Sequence, residues 1–348
     1  MTFDPDSASR PGSGIFGLPN NEISAALVFL PVPWEVTTSY GGGTSEGPGA
    51  ILKASRQVDL FDHDVLRPYD AGLFMLEEDR GVRKWNQEGK RLAQTVVDSI
   101  GRASADKPLD NALQKVNALG EKLNQFVFSE SERLLKSKKL IGIVGGDHSV
   151  PFGAFQAIAG IHSSFGVLHF DAHSDTRKAY EGFKWSHASI MYNVLEEIPQ
   201  VKRLVQVGIR DYCEEEFEFL RSQKERVKVF HDSLIKQRLF EGAGWKKICH
   251  EIVESLPKEV WISFDIDGLD PRLCPNTGTP VPGGLDFSEA TYLIGCVVRS
   301  GKKIVGFDLS EVAPPQAKDS EWDANVGARL LYKLAGWTLA SQGKCEIR

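Results

Sequence analysis

Short apolar runs, separated by stretches with helical spacing, account for most of the chain after residue 24. The runs lie at Ala25–Val32, Leu140–Val144, Phe165–Phe170, Leu204–Ile209, Val260–Phe264 and Ile304–Leu309. They are rich in β-branched and aromatic residues and do not alternate strictly with polar positions. This pattern is typical of strands that are buried on both faces of a parallel sheet.

Helical patterns lie between several of these runs. The longest, Leu109–Lys138, repeats apolar residues every three to four positions, and we expect the whole insertion Gln87–Lys138 to be helical. Further helices are predicted after Ser149, after Ser288 and over Asn325–Ala340. Alternation of strands and helices predicts an α/β fold with helices on both faces of a parallel sheet. No internal repeat or low-complexity linker divides the chain, so we predict one domain.

The first 24 residues are rich in Ser, Pro, Gly and Asn, which predicts a loose N-terminal arm at 1–24, or an extension packed on the surface, and a folded domain at 25–348. The formal net charge is −6, which argues against nucleic acid as a partner because binding to phosphates requires a basic surface.

No apolar run approaches the roughly 18 residues of a membrane span. Five widely spaced cysteines without a C-x-x-C motif favour reduced thiols, so we expect a cytoplasmic protein with no membrane partner.

Four of the predicted strands end directly in His, Asp or Glu residues. The segments that follow them are Gly145–Ser149, Asp171–Asp175, Asp265–Pro271 and Ser310–Pro314. In a parallel sheet the carboxyl ends of the strands lie at one edge, where ligands bind. We therefore expect these polar residues to converge on one crevice.

The types and spacing of these residues predict a metal centre. The six predicted ligands are His148, Asp171, His173, Asp175, Asp265 and Asp267. Alternate residues at an extended strand end can face the same ion. Four buried carboxylates would repel one another unless cations lay among them, so we predict two divalent ions. Ligand hardness favours Mn²⁺, although the affinity order favours zinc. Such an ion pair activates water for hydrolysis.

Each motif alone also has an ordinary structural explanation. A D-x-D sequence at a strand end often caps a turn, and a single G-G-D-H sequence can form a turn around a hydrogen-bonded histidine. Asp147 and Asp270 are interpreted as structural residues. His169 lies on the strand just before the predicted site; we interpret it as a core residue, with an indirect role behind the ligands as the alternative.

Three of these motifs together resemble the ureohydrolases, the arginase–agmatinase family. They are Gly145–Ser149, Asp171–Asp175 and Ser263–Pro271; the resemblance extends to Thr38–Ile51, Thr277–Pro280 and Ser310–Pro314 and spans roughly Ala25–Ala340. It implies a single three-layer domain with a central, mostly parallel eight-stranded sheet. It also implies a dimanganese hydrolase of polyamine or arginine metabolism that cleaves a guanidino group to an amine and urea, and a homotrimer or homohexamer.

The resemblance assigns a role to each matching residue. One manganese would be held by His148, Asp171, Asp175 and Asp265, and the other by Asp171, His173, Asp265 and Asp267, with Asp171 and Asp265 bridging. Glu311 would receive the guanidinium, whose planar fork suits a carboxylate. His187 lies at the place of the proton-shuttling histidine, although Ala188-Ser189 replaces the Gly-Thr of many members. A leaving amine needs a proton from a group such as His187.

The identity of the substrate depends on the loop that holds its far end. In arginases the segment corresponding to Thr176–Ser186 is rich in small polar residues, and an acidic residue stands where this chain has Cys213. Both differences favour agmatine over arginine, and the loop is most like that of prokaryotic agmatinases. Glu181 or the run Glu214–Glu216 could attract the amine, although a solvated helix face is the preferred interpretation of that run. Arg177 would favour a carboxylate tail if it faced the substrate, and would be structural if it paired with Glu181.

Several other activities stay open. Arginase, guanidinobutyrase and formiminoglutamase activities could use the same site, and a non-catalytic metal-binding relative is a remote alternative. A single-zinc deacetylase is disfavoured, because one zinc ion needs fewer ligands than this chain offers at His148, Asp175 and Asp267.

Overall fold

The strands follow the apolar runs of the sequence. The computed structural model describes residues 3–9, 12–38, 40–99, 107–315 and 320–348, with only the backbone described at 107 and 108. Its strands are β1 Leu27–Val32, β2 Val65–Leu66, β3 Leu73–Met75, β4 Leu140–Gly145, β5 Phe165–Phe170, β6 Val201–Ile209, β7 Val227–His231, β8 Glu259–Asp265, β9 Lys303–Ser310 and β10 Glu346–Ile347. Each of the six predicted runs forms a strand.

Eight of these strands form one sheet in the order β3-β1-β4-β9-β8-β5-β6-β7, and β2 pairs with β10 in a separate antiparallel ribbon. Every pairing within the large sheet is parallel. The prediction of a mostly parallel eight-stranded sheet is therefore confirmed. The two strands at its edges, β3 and β7, were not predicted, because β3 has three residues and most of β7 is partly exposed.

Helices connect the strands. They are α1 Gly47–Ser55, α2 Arg80–Val97, α3 Lys107–Lys136, α4 Phe152–Ala159, α5 Ile190–Glu197, α6 Glu214–Ser222, α7 Asp232–Phe240, α8 Trp245–Glu254, α9 Phe287–Arg299 and α10 Trp322–Ser341. The predicted helical insertion forms most of α2 and all of α3, and its residues 100–106 lie outside the described residues. The helices predicted after Ser149 and Ser288 and over Asn325–Ala340 correspond to α4, α9 and α10.

The sheet lies between two layers of helices. Successive strand residues point to opposite faces: Leu27 and Phe29 pack in one apolar cluster, and Val28 and Leu30 in the other. The first cluster also contains residues of α1 and α7 to α10, and the second contains residues of α2 to α6. The three-layer architecture follows from this division.

Part of the predicted loose arm packs firmly against the domain. Ile15, Phe16 and Leu18 are buried in the first apolar cluster. The backbone N–H of Phe16 donates to Ser55 Oγ at 2.9 Å, and the Arg56 guanidinium donates to the Ser13 carbonyl. Three apolar side chains anchor this part of the segment, as in the alternative of a surface-packed extension. Residues 1, 2, 10 and 11 of the arm lie outside the described residues, and the boundary at residue 24 stays a prediction.

Among the described residues, no helix combines the length and the apolar character that crossing a membrane would require.

Candidate metal centre and active site

Four adjacent strands of the sheet, β4, β9, β8 and β5, deliver their carboxyl ends to one cavity. His148 follows β4, Glu311 follows β9, Asp265 ends β8 and Asp171 follows β5. The cavity has a volume of about 210 Å³, and the residues that line it include His148, His173, Asp175, His187, Asp265 and Glu311. The predicted convergence of the strand-end residues is therefore present.

A first group of ligands surrounds the imidazole of His148. Its Nδ1 atom lies 3.0 Å from Asp171 Oδ2, 3.2 Å from Asp175 Oδ2 and 3.4 Å from Asp265 Oδ2. All four side chains are buried. Polar atoms at such distances could bind one ion between them.

A second group surrounds His173. Its Nδ1 atom lies 3.1 Å from Asp267 Oδ2 and 3.5 Å from Asp171 Oδ1. Asp171 therefore belongs to both groups, with one carboxylate oxygen directed to each. Asp171, His173 and Asp267 form one set that could hold a metal ion, and His148, Asp171 and Asp175 belong to another together with His169. The structure brings all six predicted ligands together.

The electrostatics of this cluster favour cations. Burial, together with the charge of Asp171, raises the pKa of Asp175 to about 7. Burial and the charges of Asp267 and Asp171 raise the pKa of Asp265 well above its usual range. Burial opposes the charged form of His173, but Asp267 and Asp171 raise its pKa to about 12. Asp175 and Asp265 thus lack enough positive charge around them, which divalent ions would supply.

Backbone geometry holds the carboxylates in place. The N–H groups of Ala172 and Asp267 donate to Asp267 Oδ1 and Asp265 Oδ1 at 2.9 and 2.8 Å. Gly268 lies so close to β5 that a Cβ there would come within 2.7 Å of the Asp171 nitrogen, so this turn requires glycine. Asp175 has a φ of 54°, a left-handed conformation that is rare for residues other than glycine and is concentrated at functional sites.

Glu311 is held at the cavity wall with one oxygen free. Its Oε1 atom accepts the backbone N–H of His148 at 3.0 Å. Its Oε2 atom is buried and has no hydrogen-bond partner among the described residues. Burial and the nearby carboxylate of Asp147 raise its pKa well above the usual range. A buried acceptor without a donor is costly, so Glu311 is suited to a cationic ligand that donates hydrogen bonds.

His187 lies in the same cavity, on the turn His187–Ser189 before α5. Its Nδ1 atom lies 3.2 Å from Thr37 Oγ1, and its backbone N–H donates to that oxygen at 3.3 Å. The contact with Thr37 leaves Nε2 available for a ligand. Burial, together with His173 and His148, lowers the pKa of His187 to about 4, so its ring is neutral at pH 7.

Arg177 lines the cavity and forms an ion pair with Glu216, whose Oε2 lies 3.3 Å from Arg177 Nε. Its guanidinium also lies 4.7 Å from the centre of the Tyr180 ring. Glu181, the other predicted tail-binding residue, is not among the described residues that line the cavity. The roles of Arg177 and Glu181 in binding stay predictions.

The interpretation of Glu214–Glu216 as a solvated face is wrong for Glu216. The side chain of Glu216 is buried and lines the cavity. It accepts hydrogen bonds from Ser174 Oγ and Thr176 N through Oε1, and from Cys213 N through Oε2. The signal for this arrangement was the position of Glu216 three residues after the N-cap of α6, where a Glu reaches back to the cap.

Sequence reasoning also missed the polar rim of the cavity. Asp211 lines it with a side chain that is 68% exposed, and its Oδ2 lies 4.0 Å from His173 Nε2. Three aromatic residues, Tyr40, Tyr180 and Tyr212, line the same cavity. An exposed carboxylate among aromatic rings is suited to a cationic group.

A buried hydrogen-bonded layer lies behind the ligands. His148 Nε2 lies 2.9 Å from Ser263 Oγ, whose hydroxyl donates to Asp308 Oδ2 at 3.0 Å. His169 Nε2 lies 2.8 Å from Asp171 Oδ2. The interpretation of His169 as a core residue was therefore incomplete: it is fully buried, but it contacts a predicted ligand. The sequence feature that indicates this contact is the position of His169 two residues before Asp171, which places both side chains on the same side of the strand.

Comparison with known proteins gives consistent results. The sequence model described as the arginase family matches residues 25–336. Over 314 residues the chain is 33% identical to the N(1)-aminopropylagmatine ureohydrolase of Thermus thermophilus, with 90% of each protein covered. It is 29% identical over 316 residues to the guanidinobutyrase of Pseudomonas aeruginosa, with 88% of this chain and 84% of that protein covered.

The fold is also found among solved structures. The crystal structure of the agmatine ureohydrolase of Thermoplasma volcanium matches with a TM-score of 0.72 and 23% identity, covering 96% of this chain and 97% of that one. At this level of identity the match shows the shared fold alone.

Proposed function

The chain belongs to the arginase family, and from this membership we propose that it is a two-metal hydrolase that converts agmatine to putrescine and urea. The observation that carries the proposal is the cluster of six candidate ligands beside one cavity, which four of them line together with Glu311, whose Oε2 atom has no hydrogen-bond partner among the described residues. That the chain is a guanidino-hydrolysing enzyme follows from the family; the metal and the substrate are the proposed parts.

The residues present fit two divalent ions. Four carboxylates and two imidazoles with no thiolate form a hard donor set, which favours Mn²⁺. His148, Asp171, Asp175 and Asp265 would hold one ion, and Asp171, His173, Asp265 and Asp267 the other. The raised pKa values of Asp175 and Asp265 support the fit, because a pair of ions would compensate the burial and the repulsion that cause them. When bound, the ions would supply electrophilic and water-activating chemistry.

The protein's own groups would orient the substrate and move the proton. Glu311 Oε2 accepts hydrogen bonds from the guanidinium, while the N–H of His148 holds Oε1 and fixes the rotation of the carboxylate. His187, neutral at pH 7, takes up a proton at Nε2 and passes it to the departing amine. Thr37 holds the ring of His187 through Nδ1 in the orientation that this transfer needs.

The rim of the cavity supports a substrate with a cationic tail. Asp211 offers an exposed carboxylate, and the positive charge of Arg177 is partly compensated by its pairing with Glu216. Arginine would bring both a carboxylate and an amine to this rim, and leaving them unpaired on burial would cost several kcal/mol. A single terminal amine needs only one partner, so we propose agmatine over arginine.

One observation favours a second candidate. Arg177 lies in the cavity lining, where it could bind the carboxylate of guanidinobutyrate by exchanging its partner Glu216 for the substrate. A relative with this activity is 29% identical. The two candidates predict opposite preferences for the charge of the tail.

A substrate panel separates these candidates. With Mn²⁺ supplied, kcat/KM for agmatine is expected to exceed that for arginine, guanidinobutyrate and guanidine, all followed by urea release, and that for formiminoglutamate, followed by formamide release. Faster hydrolysis of guanidinobutyrate would establish the second candidate, and no urea release from any of the guanidino compounds would contradict the proposed chemistry. N(1)-aminopropylagmatine belongs in the panel because a relative at 33% identity carries its name.

Two rim variants test how the tail is recognised. Asp211→Asn is expected to lower kcat/KM for agmatine by about 2–5-fold, mainly through KM, since an exposed ion pair contributes only about 0.2–1 kcal/mol. The same variant should not lower kcat/KM for guanidinobutyrate. Arg177→Ala is expected to keep or widen the preference for agmatine, because it removes a positive charge from the rim. A loss of guanidinobutyrate hydrolysis in Arg177→Ala, starting from a wild type that prefers guanidinobutyrate, would overturn the assignment.

We also propose that the enzyme works in the cytoplasm as a homotrimer or homohexamer. Support for a reducing compartment comes from its cysteines, all five of which are free thiols. Size-exclusion chromatography with light scattering would test the assembly.

A further inference from the structure

A row of buried polar side chains crosses the sheet directly behind the candidate metal ligands. In the register of the parallel strands, His169 of β5 lies opposite Gln206 of β6 and Ser263 of β8. Ser263 in turn lies opposite Asp308 of β9. All four side chains are fully buried between apolar neighbours. Such a row is costly unless its hydrogen bonds are made, so each member requires a partner.

Gln206 determines which nitrogen of His169 carries the hydrogen. The Gln206 amide nitrogen donates to the carbonyl oxygen of Ser174 at 2.8 Å, and a carbonyl oxygen can only accept. This contact orients the amide so that its nitrogen also lies 2.9 Å from His169 Nδ1. Nδ1 must then accept, and the hydrogen of the neutral ring lies on Nε2. Nε2, 2.8 Å from Asp171 Oδ2, therefore donates to that carboxylate.

The recipient of this hydrogen bond is the carboxylate that both ligand groups share. Asp171 Oδ2 lies 3.0 Å from His148 Nδ1, and Oδ1 accepts the backbone N–H of His173 at 2.6 Å. The bond from His169 completes the set of contacts that fixes the rotation of the carboxylate. A small rotation would misdirect both oxygens, and hence both groups, at once.

We propose that His169, oriented by Gln206, is a positioning residue that fixes Asp171 so that a divalent ion is retained in each ligand group. The inference rests on the proposed two-metal function and deepens it. His169 is close enough to the first group to be considered a ligand itself. Both of its ring nitrogens are already engaged, with Gln206 and with Asp171, so it acts through Asp171 instead.

The test compares His169→Leu with His169→Gln. The Gln side-chain nitrogen can reach a position similar to that of imidazole Nε2 and so can restore the donor to Asp171, whereas Leu cannot. Mn²⁺ binding is measured by equilibrium dialysis with elemental analysis and by electron paramagnetic resonance, without substrate. His169→Leu is expected to weaken the binding of at least one ion by about 10–100-fold, the usual effect of removing such a partner. His169→Gln should recover most of this loss, and the matched control His162→Gln, at a distant half-buried histidine, should bind as wild type does.

The outcomes distinguish this inference from the function on which it rests. Wild-type binding of two Mn²⁺ ions by His169→Leu would overturn the inference and leave the proposed function intact. Equal loss in the Leu and Gln variants would also overturn it, since a direct ligand or a packing role would then be indicated. If the wild type binds no divalent ion, the proposed metal centre itself fails. Gln206→Leu provides the second variant should His169→Leu not fold; it is expected to weaken Mn²⁺ binding in the same direction, and unchanged binding would contradict the role of Gln206.

Discussion

Replacing Asp265 by Asn is expected to remove a divalent ion from the enzyme and, at the same time, to stabilise the metal-free protein. Asp265 is buried, and its pKa is raised well above the usual range by burial and by the charges of Asp267 and Asp171. A carboxyl group whose pKa is raised by folding destabilises the folded state as the pH rises above its unfolded pKa, and this penalty is largest above the raised pKa and vanishes below the unfolded pKa. A neutral amide of the same shape carries no such penalty.

The same substitution should be severe for the loaded enzyme. Asn can keep the hydrogen bond that Asp265 Oδ1 accepts from Asp267 N, so the turn is preserved while the anionic ligand is lost. Loss of one ion would remove several kcal/mol of charge stabilisation in the transition state, which corresponds to a decrease in kcat of about 10³-fold or more.

Three measurements check this prediction: Mn²⁺ content, the melting temperature in EDTA, and urea release. Asp270→Asn is the matched control, because Asp270 follows the same strand and accepts Arg272 N but does not line the cavity. Unchanged metal content in Asp265→Asn would contradict the ligand assignment. A lower melting temperature in EDTA would contradict the repulsion argument.

The convergence of the candidate metal ligands was the most predictable part of this protein. These ligands lie within a few residues of four buried strands, and the apolar runs of those strands are visible in the sequence. In a parallel sheet the carboxyl ends of all strands lie at the same edge. The proximity of Asp171 and Asp265 could therefore be predicted without knowledge of any loop. Oxygen and imidazole donors in such numbers have few uses other than metal binding, so the residue types also led to the prediction of a metal centre.

The rim of the cavity was less predictable, because its residues depend on the paths of loops. Glu216 belongs to a run of three glutamates. It is held inward by the hydrogen bonds that it accepts from Ser174, Thr176 and Cys213, whereas Glu214 and Glu215 are exposed. Asp211 reaches the cavity because β6 ends next to the loop after β5, where its N–H bonds to the carbonyl of Ala172. Neither arrangement leaves a periodic pattern in the sequence.

The same reasoning explains the elements that were missed. Edge strands such as β3 and β7 are short or half-exposed, so their apolar residues are too few to form a recognisable run. The packing of Phe16 depends on a pocket built from distant parts of the chain, with Phe29 and Tyr332 at its edges. Composition describes the average of a segment, whereas two or three side chains decide whether it is anchored.

His187→Ala is expected to lower kcat by roughly 10²–10⁴-fold, the usual contribution of general acid–base catalysis. The attacking water must lose a proton and the departing amine must gain one. The imidazole of His187 lines the cavity and has no carboxylate among its hydrogen-bond partners in the described part of the chain, so it is suited to carry this proton. Its low pKa, about 4, means that it carries a proton only during the transfer. Mn²⁺ content should be unchanged, because His187 is not one of the candidate ligands.

Added imidazole provides the decisive measurement for this variant. If His187 moves a proton, free imidazole should enter the vacated space and restore part of kcat in His187→Ala, in proportion to the concentration of its neutral form. Thr37→Val should have a smaller effect that imidazole does not rescue, because the ring remains and only its orientation is loosened. His250→Ala, at an exposed histidine on α8, should behave as wild type. A wild-type kcat in His187→Ala would assign the proton to solvent or to another group, and a loss of metal in that variant would show that the residue supports the ligands instead.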